Sequence, residues 1–225
     1  ADGQDIFKYF NGRIAVELRL QEAIERKLLS SFHYFGVTDP VSLKNVRWER
    51  GKYDQTQLDN LYVFEAAQAE RRVDNIIQAI DRYCGERRDI VGLGFCVSQH
   101  HAVYMAEQFN KAGIPSEYLT AESEEAVRST VKQRLVNKEI NFIFVVDLYN
   151  EGVDIPEVNT VMFLRPTESL TVYLQQLGRG LRLCEGKEAL TVLDFVGQAN
   201  SKFNFAERYR ALLGRTRRTV EYEFE

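Results

Sequence analysis

The run Phe142–Val146, Phe-Ile-Phe-Val-Val, is apolar at every position. A strand with one face in water alternates apolar and polar residues, so an unbroken run belongs to a strand covered on both faces. Helices packed on either side of a sheet provide that cover, and the surrounding sequence supplies them. Ile90–Val97 reads as a strand, Gln99–Ala112 as a helix closed by Gly113 and Pro115, Glu117–Thr120 as a short strand and Glu124–Asn137 as a helix. Beyond the strand at Asn141–Val146 come a strand at Thr160–Leu164, a helix at Leu170–Leu183, a strand at Ala189–Val196 and a helix at Lys202–Leu213. Strands alternating with helices of about ten to fifteen residues predict βαβ units and a parallel sheet, with right-handed crossovers that put helices on both faces. The expected fold class is α/β.

The first third reads differently. Ile14, Leu18, Ala23, Ile24, Leu28 and Leu29 recur at helical spacing, predicting one helix or two short ones within Ile14–Phe35 that end before Gly36. Residues 37–60 contain Pro40 and Gly51 and no strong periodicity, an irregular connector in which Trp48 reads as a packing anchor ahead of a base-stacking platform. Helical spacing returns from Phe64 to Tyr83, with Ala67, Val73, Ile76, Ile77 and Ile80 on one face.

Composition sets limits on these readings. With 225 residues, 44% of them hydrophobic, there is material for one large domain or a domain with an extension. No apolar run reaches about eighteen residues, the length of a membrane span. The first residues, ADGQDIFKYF, lack the basic and apolar regions of a signal peptide. Three widely spaced cysteines, Cys84, Cys96 and Cys184, fit neither a disulfide framework nor a zinc site and point to a reducing cytoplasm. A net charge of -4 does not advertise a polyanion partner, but nucleic acids bind local patches. One basic cluster, Lys202, Arg208, Arg210, Arg215, Arg217 and Arg218, is either a solvated helix face and tail or a phosphate-contacting surface. Both ends of the sequence are abrupt, which leads us to expect a segment of a longer polypeptide.

Chemistry-bearing residues concentrate between Asn141 and Leu183. The two strands there end at Asp147 and at Arg165-Pro166, and ligands of open α/β sheets bind at the carboxyl ends of strands. A phosphate-cradling P-loop needs G-x4-G-K-[ST] between a strand and a helix. The nearest segment, Gly180 to Glu188, has five residues between its glycines, follows a helix, and carries Glu188 where a Mg²⁺-binding hydroxyl is required. No Asp-Glu pair stands at a strand end to hold a metal, so these residues alone are not expected to hydrolyse a nucleoside triphosphate. What the segment does contain is Gln175-Gln-Leu-Gly178-Arg179-Gly180-Leu-Arg182, a Q-x-x-G-R-x-x-R pattern. Arg179 and Arg182 project two permanently charged forks from one side of a helix, suited to the spread negative charge of a phosphoryl-transfer transition state. The plainer reading is a surface helix with ordinary salt bridges. Against it stand the glycines on either side of Arg179, which are costly in a helix unless something must approach closely. Upstream, Gly152 permits an unusual backbone angle, and Asp154 could accept hydrogen bonds from a ribose or cap the turn.

On these residues, the region from about Val91 to Val196 resembles the C-terminal RecA-like lobe of a superfamily 2 DEAD/DEAH-like helicase or translocase. GFCVSQHHAVYMAEQFN resembles motif IV, VVDLYNEGVDIPE motif V, and QQLGRGLRL motif VI. NEGVDIP, LRPTES and QQLGRGLR stand closer to restriction-enzyme and DNA-repair members, the type III res-subunit group included, than to RNA-handling DEAD-box proteins. NGRIAVELRLQEAIERKLLSSFHYFGVTD resembles the segment that joins the two lobes in that group.

The resemblance implies a three-layer, parallel-sheet RecA-like domain of the P-loop NTPase type, without its own P-loop, at residues 66–225. A connecting segment, helical and then irregular, would precede it at residues 1–65. The implied activity is that of an ATP-dependent motor on nucleic acid, DNA first and RNA as the alternative. ATP and Mg²⁺ would be held mainly by an N-terminal lobe of the same polypeptide. Arg179 and Arg182 would be arginine fingers, and Gln175 would couple the nucleotide site to motif movements. Gly152, Asp154 and Gly178 would lie against the nucleotide, and Ser98, Asp147 and Asn150 against the nucleic acid. One departure is Val146, where many relatives carry a phosphate-contacting threonine; Asn150 or a backbone amide would substitute. His100 and His101 follow motif IV, with a structural or helix-start role weighed above nucleic-acid contact. The rival class is a non-catalytic nucleic-acid or protein-binding module on the same fold, which an intact arginine pair disfavours.

Overall fold

A computed structural model describes residues 20–49, 52–146, 155–166 and 170–197. In chain order the first elements are helix α1 (Leu20–Glu25), strands β1 (Ser31–Thr38), β2 (Trp48–Glu49) and β3 (Lys52–Tyr53), and helix α2 (Gln55–Asp59). A π-turn at Asn60–Phe64 leads into α3 (Ala66–Tyr83). Then follow β4 (Gly92–Phe95), α4 (Gln99–Lys111), β5 (Ser116–Leu119), α5 (Glu125–Val136), β6 (Phe142–Val145), β7 (Thr160–Phe163), α6 (Leu170–Gly180) and β8 (Ala189–Val196). Six strands form one sheet in the order β1-β8-β7-β4-β6-β5, every neighbouring pair parallel, while β2 and β3 make a separate antiparallel pair.

The sheet is covered on both faces, as the unbroken apolar strands require. On one side Leu93, Phe95, Ile143, Val145, Val161 and Phe163 meet Val131 and Leu135 of α5 and Tyr173 and Leu177 of α6. On the other, Phe142, Phe144 and Met162 meet Val73, Ile76 and Ile80 of α3 and Met105 and Phe109 of α4. Phe109 stands edge-on to both Phe142 (5.4 Å) and Phe144 (4.8 Å). Those two rings need the absence of side chains on the neighbouring strand: a Cβ on Gly92 would lie 2.2 Å from Phe142, and one on Gly94 2.5 Å from Phe144. This is the three-layer α/β arrangement expected from the sequence.

The helix expected across Ile14–Phe35 is corrected. Among the described residues α1 covers only Leu20–Glu25, and Lys27, at φ 55°, turns the chain out of the helix. Ser31–Thr38 is instead a full strand, paired in register with β8 from Ser31 opposite Ala189 to Thr38 opposite Val196. Its aromatic and β-branched residues suit a pleated surface. Phe32 and Tyr34 pack on one face of the sheet, Phe35 and Val37 on the other, and the Tyr34 hydroxyl donates to Asp194 Oδ2 at 2.8 Å. The sheet therefore draws on residues before 66.

The connector after β1 builds a small core of its own. Val41, Leu43, Val46, Tyr53, Leu58, Tyr62 and Val97 are buried together, with Trp48 packed on them and edge-on to Tyr53 at 4.6 Å. Trp48 is thus the packing anchor expected. The helix expected at Lys202–Leu213, and the basic cluster with it, lie outside the described residues.

Candidate functional site

Parallel strands give the sheet two unlike edges, and the arginine helix runs from one to the other. Strand β7 ends at Phe163 on the carboxyl edge; α6 then returns across the sheet and finishes beside the starts of the strands. Three sets of hydrogen bonds fix this. The Ser30 amide donates to Leu181 O at 2.8 Å, and the Ser30 hydroxyl to Arg182 O at 3.0 Å, just before β1 begins. The Ser31 hydroxyl donates to Glu188 O at 3.2 Å, just before β8. Lys187 Nζ donates to Pro156 O (2.9 Å), in the approach to β7, and to Gly180 O (2.8 Å) and Arg182 O (2.6 Å). Arg179 and Arg182 therefore lie at the amino edge, whereas the sequence placed the chemistry of this stretch at the carboxyl ends of strands. The helix also ends earlier than the expected Leu183: α6 stops at Gly180, so Arg179 stands in its last turn and Arg182 two residues past it, and helical spacing alone does not pair them.

The glycines around Arg179 differ in kind. Gly180 is buried, and a Cβ there would stand 2.7 Å from Leu190 and 3.1 Å from Val161, so the helix approaches the starts of β7 and β8 as closely as a bare backbone allows. At Gly178 a Cβ would meet nothing within 4 Å. The flank beside Arg179 is open. Arg179 is half-buried and Arg182 exposed. Gln175, expected to couple the site to its surroundings, is exposed, while its neighbour Gln176 is 4% exposed with no hydrogen-bond partner for Oε1 among the described residues.

Ser98 lies at the other edge, where β4 gives way to α4. Its hydroxyl oxygen caps the helix by accepting from the His101 amide at 3.1 Å, and its proton goes to Asp59 Oδ1. The side chain is buried, with a carboxylate as its nearest partner, and it holds in place the first turn of α4, in which Gln99 and His100 are exposed and His101 and Ala102 buried. His100, exposed, has Nδ1 3.7 Å from Asp59 Oδ2. His101 is fully buried, with the Val97 amide donating to Nδ1 at 3.2 Å and Arg72 Nη1 at 3.1 Å from Nε2. Burial, and then the charge of Arg72, push its pKa well below the usual histidine value. A second ring proton would face a donor on either side. This is the structural role expected for His101.

Behind this edge sits an ionic network that no local sequence pattern announces. Arg72 of α3 donates from Nε to Asp39 Oδ2 at 2.8 Å and from Nη2 to Leu164 O at 2.8 Å, and its guanidinium lies 4.0 Å over the Tyr62 ring. Asp39 in turn accepts from the Val41 amide at 3.0 Å. The side chains of Arg72 and Asp39 are each 2% exposed. One cation thus ties together the end of β1, the end of β7, α3, α4 and the π-turn.

Gly152, Asp154, Asp147 and Asn150 lie outside the described residues, as does the substitution of Asn150 for a threonine. No cluster of metal-ligating side chains occurs among the described residues, and no helix there is long and apolar enough to cross a membrane. Lys187 was legible only as the lysine of a failed P-loop. Its ammonium has three N–H donors, and all three are committed to backbone carbonyls.

Comparison with known proteins places this arrangement. The family described as the helicase conserved C-terminal domain matches residues 72–184, just over half of the chain. A protein of Schizosaccharomyces pombe named as a mitochondrial ATP-dependent helicase, irc3, is 30% identical over 154 residues, covering 67% of this chain and 25% of the relative. Among solved structures, a fragment named as the HsdR subunit of a type I restriction enzyme from Vibrio vulnificus superposes with a TM-score of 0.65 at 22% identity, covering 91% of this chain and 39% of that one. The type ISP restriction-modification enzyme LlaBIII, solved bound to DNA, gives a TM-score of 0.56 at 18% identity, covering 87% of this chain and 14% of that one. The present chain spans a quarter of the yeast relative's length. With its three-layer parallel sheet and matched core, the chain belongs to the helicase conserved C-terminal domain family, as a RecA-like C-terminal lobe of the superfamily 2 type.

Proposed function

We propose that this lobe completes the ATP site of a two-lobed motor and grips nucleic acid, most readily DNA, at the opposite edge of its sheet. The observation that carries the proposal is the grouping at the end of α6. Arg179 stands in the last turn of α6 beside Gly178, whose flank is open among the described residues, and Arg182 follows two residues past the helix, on backbone anchored to the starts of three strands. That donor set fits the phosphates of a nucleotide presented by another body. ATP, when bound, supplies the phosphoanhydride whose hydrolysis drives the motor. Arg179 and Arg182 neutralise charge developing on the transferred phosphoryl group, and Gly178 leaves room for the approach. The resemblance to motif V assigns Gly152 and Asp154 to the ribose, and Gln175 would relay the state of the site to neighbouring elements. In this reading Mg²⁺ is held mainly by the N-terminal lobe of the same polypeptide. The chain alone is inactive in this reading.

At the carboxyl edge, Ser98 fixes the first turn of α4, and Asp147 and Asn150 follow β6. These elements hold the phosphates of a strand, so binding should be largely sequence-independent and salt-sensitive. DNA comes before RNA in this reading because NEGVDIP, LRPTES and QQLGRGLR resemble restriction-enzyme and DNA-repair members. The three cysteines, all free, suit a reducing compartment, the cytoplasm in our reading.

The test is ATP hydrolysis by the full-length polypeptide with duplex DNA, single-stranded DNA or RNA added. Stimulation by DNA above RNA is expected. Stimulation by RNA alone would reassign the substrate, and no stimulation by any of them would favour a binding module.

A further inference from the structure

We infer that Lys187 is a positioning residue for the arginine pair, clamping the end of α6 to the segment that leads from motif V into β7. This rests on the arginine reading proposed above and deepens it.

The lysine sits seven residues beyond Gly180 but thirty-one beyond Pro156, so the end of α6 and the distant approach to β7 meet at one nitrogen. Its three N–H groups go to Pro156 O, Gly180 O and Arg182 O at 2.6–2.9 Å. One of these, Gly180 O, is a carbonyl that the helix end leaves without an intrahelical partner and that carries the negative pole of its dipole; Arg182 O lies in the turn two residues on. The third belongs to the turn two residues after Asp154. Gly186, at φ +79°, supplies the left-handed turn that brings the lysine back over the helix end. The Arg182 carbonyl is held a second time by the Ser30 hydroxyl at 3.0 Å, and Leu181 O by the Ser30 amide at 2.8 Å. The backbone that aims Arg182 is therefore pinned from both sides.

The residue type matters. A lysine ammonium is a compact point charge with three diverging donors and can serve three converging carbonyls, whereas the planar arginine fork cannot. Half-buried, Lys187 also has its pKa lowered by desolvation, a cost that solvent-facing lysines avoid. With all three donors engaged by backbone, it acts through the arginines and not on a nucleotide itself.

The experiment uses the full-length polypeptide with nucleic acid, and compares its affinity for Mg²⁺·ADP with that for Mg²⁺·ADP plus aluminium fluoride, a mimic of the transferred phosphoryl group. For Lys187→Met, ADP affinity should be unchanged while the aluminium fluoride complex weakens about 10- to 100-fold, the scale on which misplacement by about 1 Å acts. Ser30→Ala, which removes one donor to Arg182 O, should show the same selective loss at about two- to fivefold and carries the test if Lys187→Met does not fold. Equal weakening of both ligands, as general loosening of the fold would give, or no weakening in either variant, overturns the inference. Arg182→Ala serves as the reference. If it too leaves the aluminium fluoride complex unweakened, the arginine reading itself has failed. If it weakens that complex and the Lys187 and Ser30 variants do not, only the role of Lys187 falls.

Discussion

Replacing Arg72 by methionine tests the network that joins β1 to the rest of the lobe. The substitution keeps an apolar stem of similar reach but removes the donor to Asp39 Oδ2, the donor to Leu164 O and the cation over Tyr62. Asp39, its side chain 2% exposed, would keep among the described residues only the Val41 amide as a partner for its charge. Breaking a buried ion pair by deleting one member costs about 3–5 kcal/mol, chiefly because the other charge stays buried. We therefore expect a loss of about 4 kcal/mol, which for a domain of this size lowers the melting midpoint by about 8–16 °C. Urea or thermal unfolding followed by tryptophan emission reads this directly, since Trp48 is the single tryptophan and packs on the same small core as Tyr62. Adding Asp39→Asn in the Arg72→Met background neutralises the stranded charge while leaving an acceptor for Val41. It should recover about 2 kcal/mol. A cost for Arg72→Met below about 1 kcal/mol, or a double variant no more stable than the single one, would refute the reasoning.

Three further outcomes follow from the same geometry. Gly178→Ala should raise stability by about 0.5–1 kcal/mol through helix propensity, yet reduce ATP hydrolysis in the full polypeptide by filling the flank beside Arg179. Gly180→Ala should instead destabilise by about 1–3 kcal/mol through overpacking, because its Cβ would meet Leu190 at 2.7 Å; thermal melts of the two variants should shift in opposite directions. His101 should make stability fall with acid. The unfolded chain takes up a proton on this residue near pH 6.5 that the folded chain refuses, so its contribution is intact above pH 6.5 and is lost as pH drops toward the depressed folded value. Between pH 7 and pH 5.5 the loss should be about 1 kcal/mol, and His101→Gln should flatten that slope.

Much of the sheet could be read from the residues, because its signals are local. Unbroken apolar runs marked β4, β6, β7 and β8 to within one or two residues, and amphipathic periodicity marked α3 to α6. Strand β1 escaped because its apolar residues change face midway, Phe32 and Tyr34 on one side and Phe35 and Val37 on the other, which breaks the period-two pattern, and because the strand it pairs with, β8, lies near the other end of the sequence. Local spacing could only continue the helical pattern of Ala23 to Leu29 into it. The candidate site divides in the same way. The spacing of Arg179 and Arg182 is local and was visible, whereas their placement at the amino edge depends on Ser30 and Lys187 reaching across from other segments. Gly180 was read correctly as a point of close approach, but Gly178 faces open space, a difference that only the neighbouring strands decide. The Arg72–Asp39 pair spans thirty-three residues and two elements, one of which was read as a connector.

The central claim is that α6 delivers its arginines to a nucleotide held by another lobe. Its most direct test is the nucleic-acid-stimulated ATPase rate of the full-length polypeptide, wild type against Arg182→Ala. The account predicts a fall in kcat of about 10³-fold or more, the scale of an arginine finger, with ADP binding retained. A variant hydrolysing ATP at the wild-type rate would contradict it.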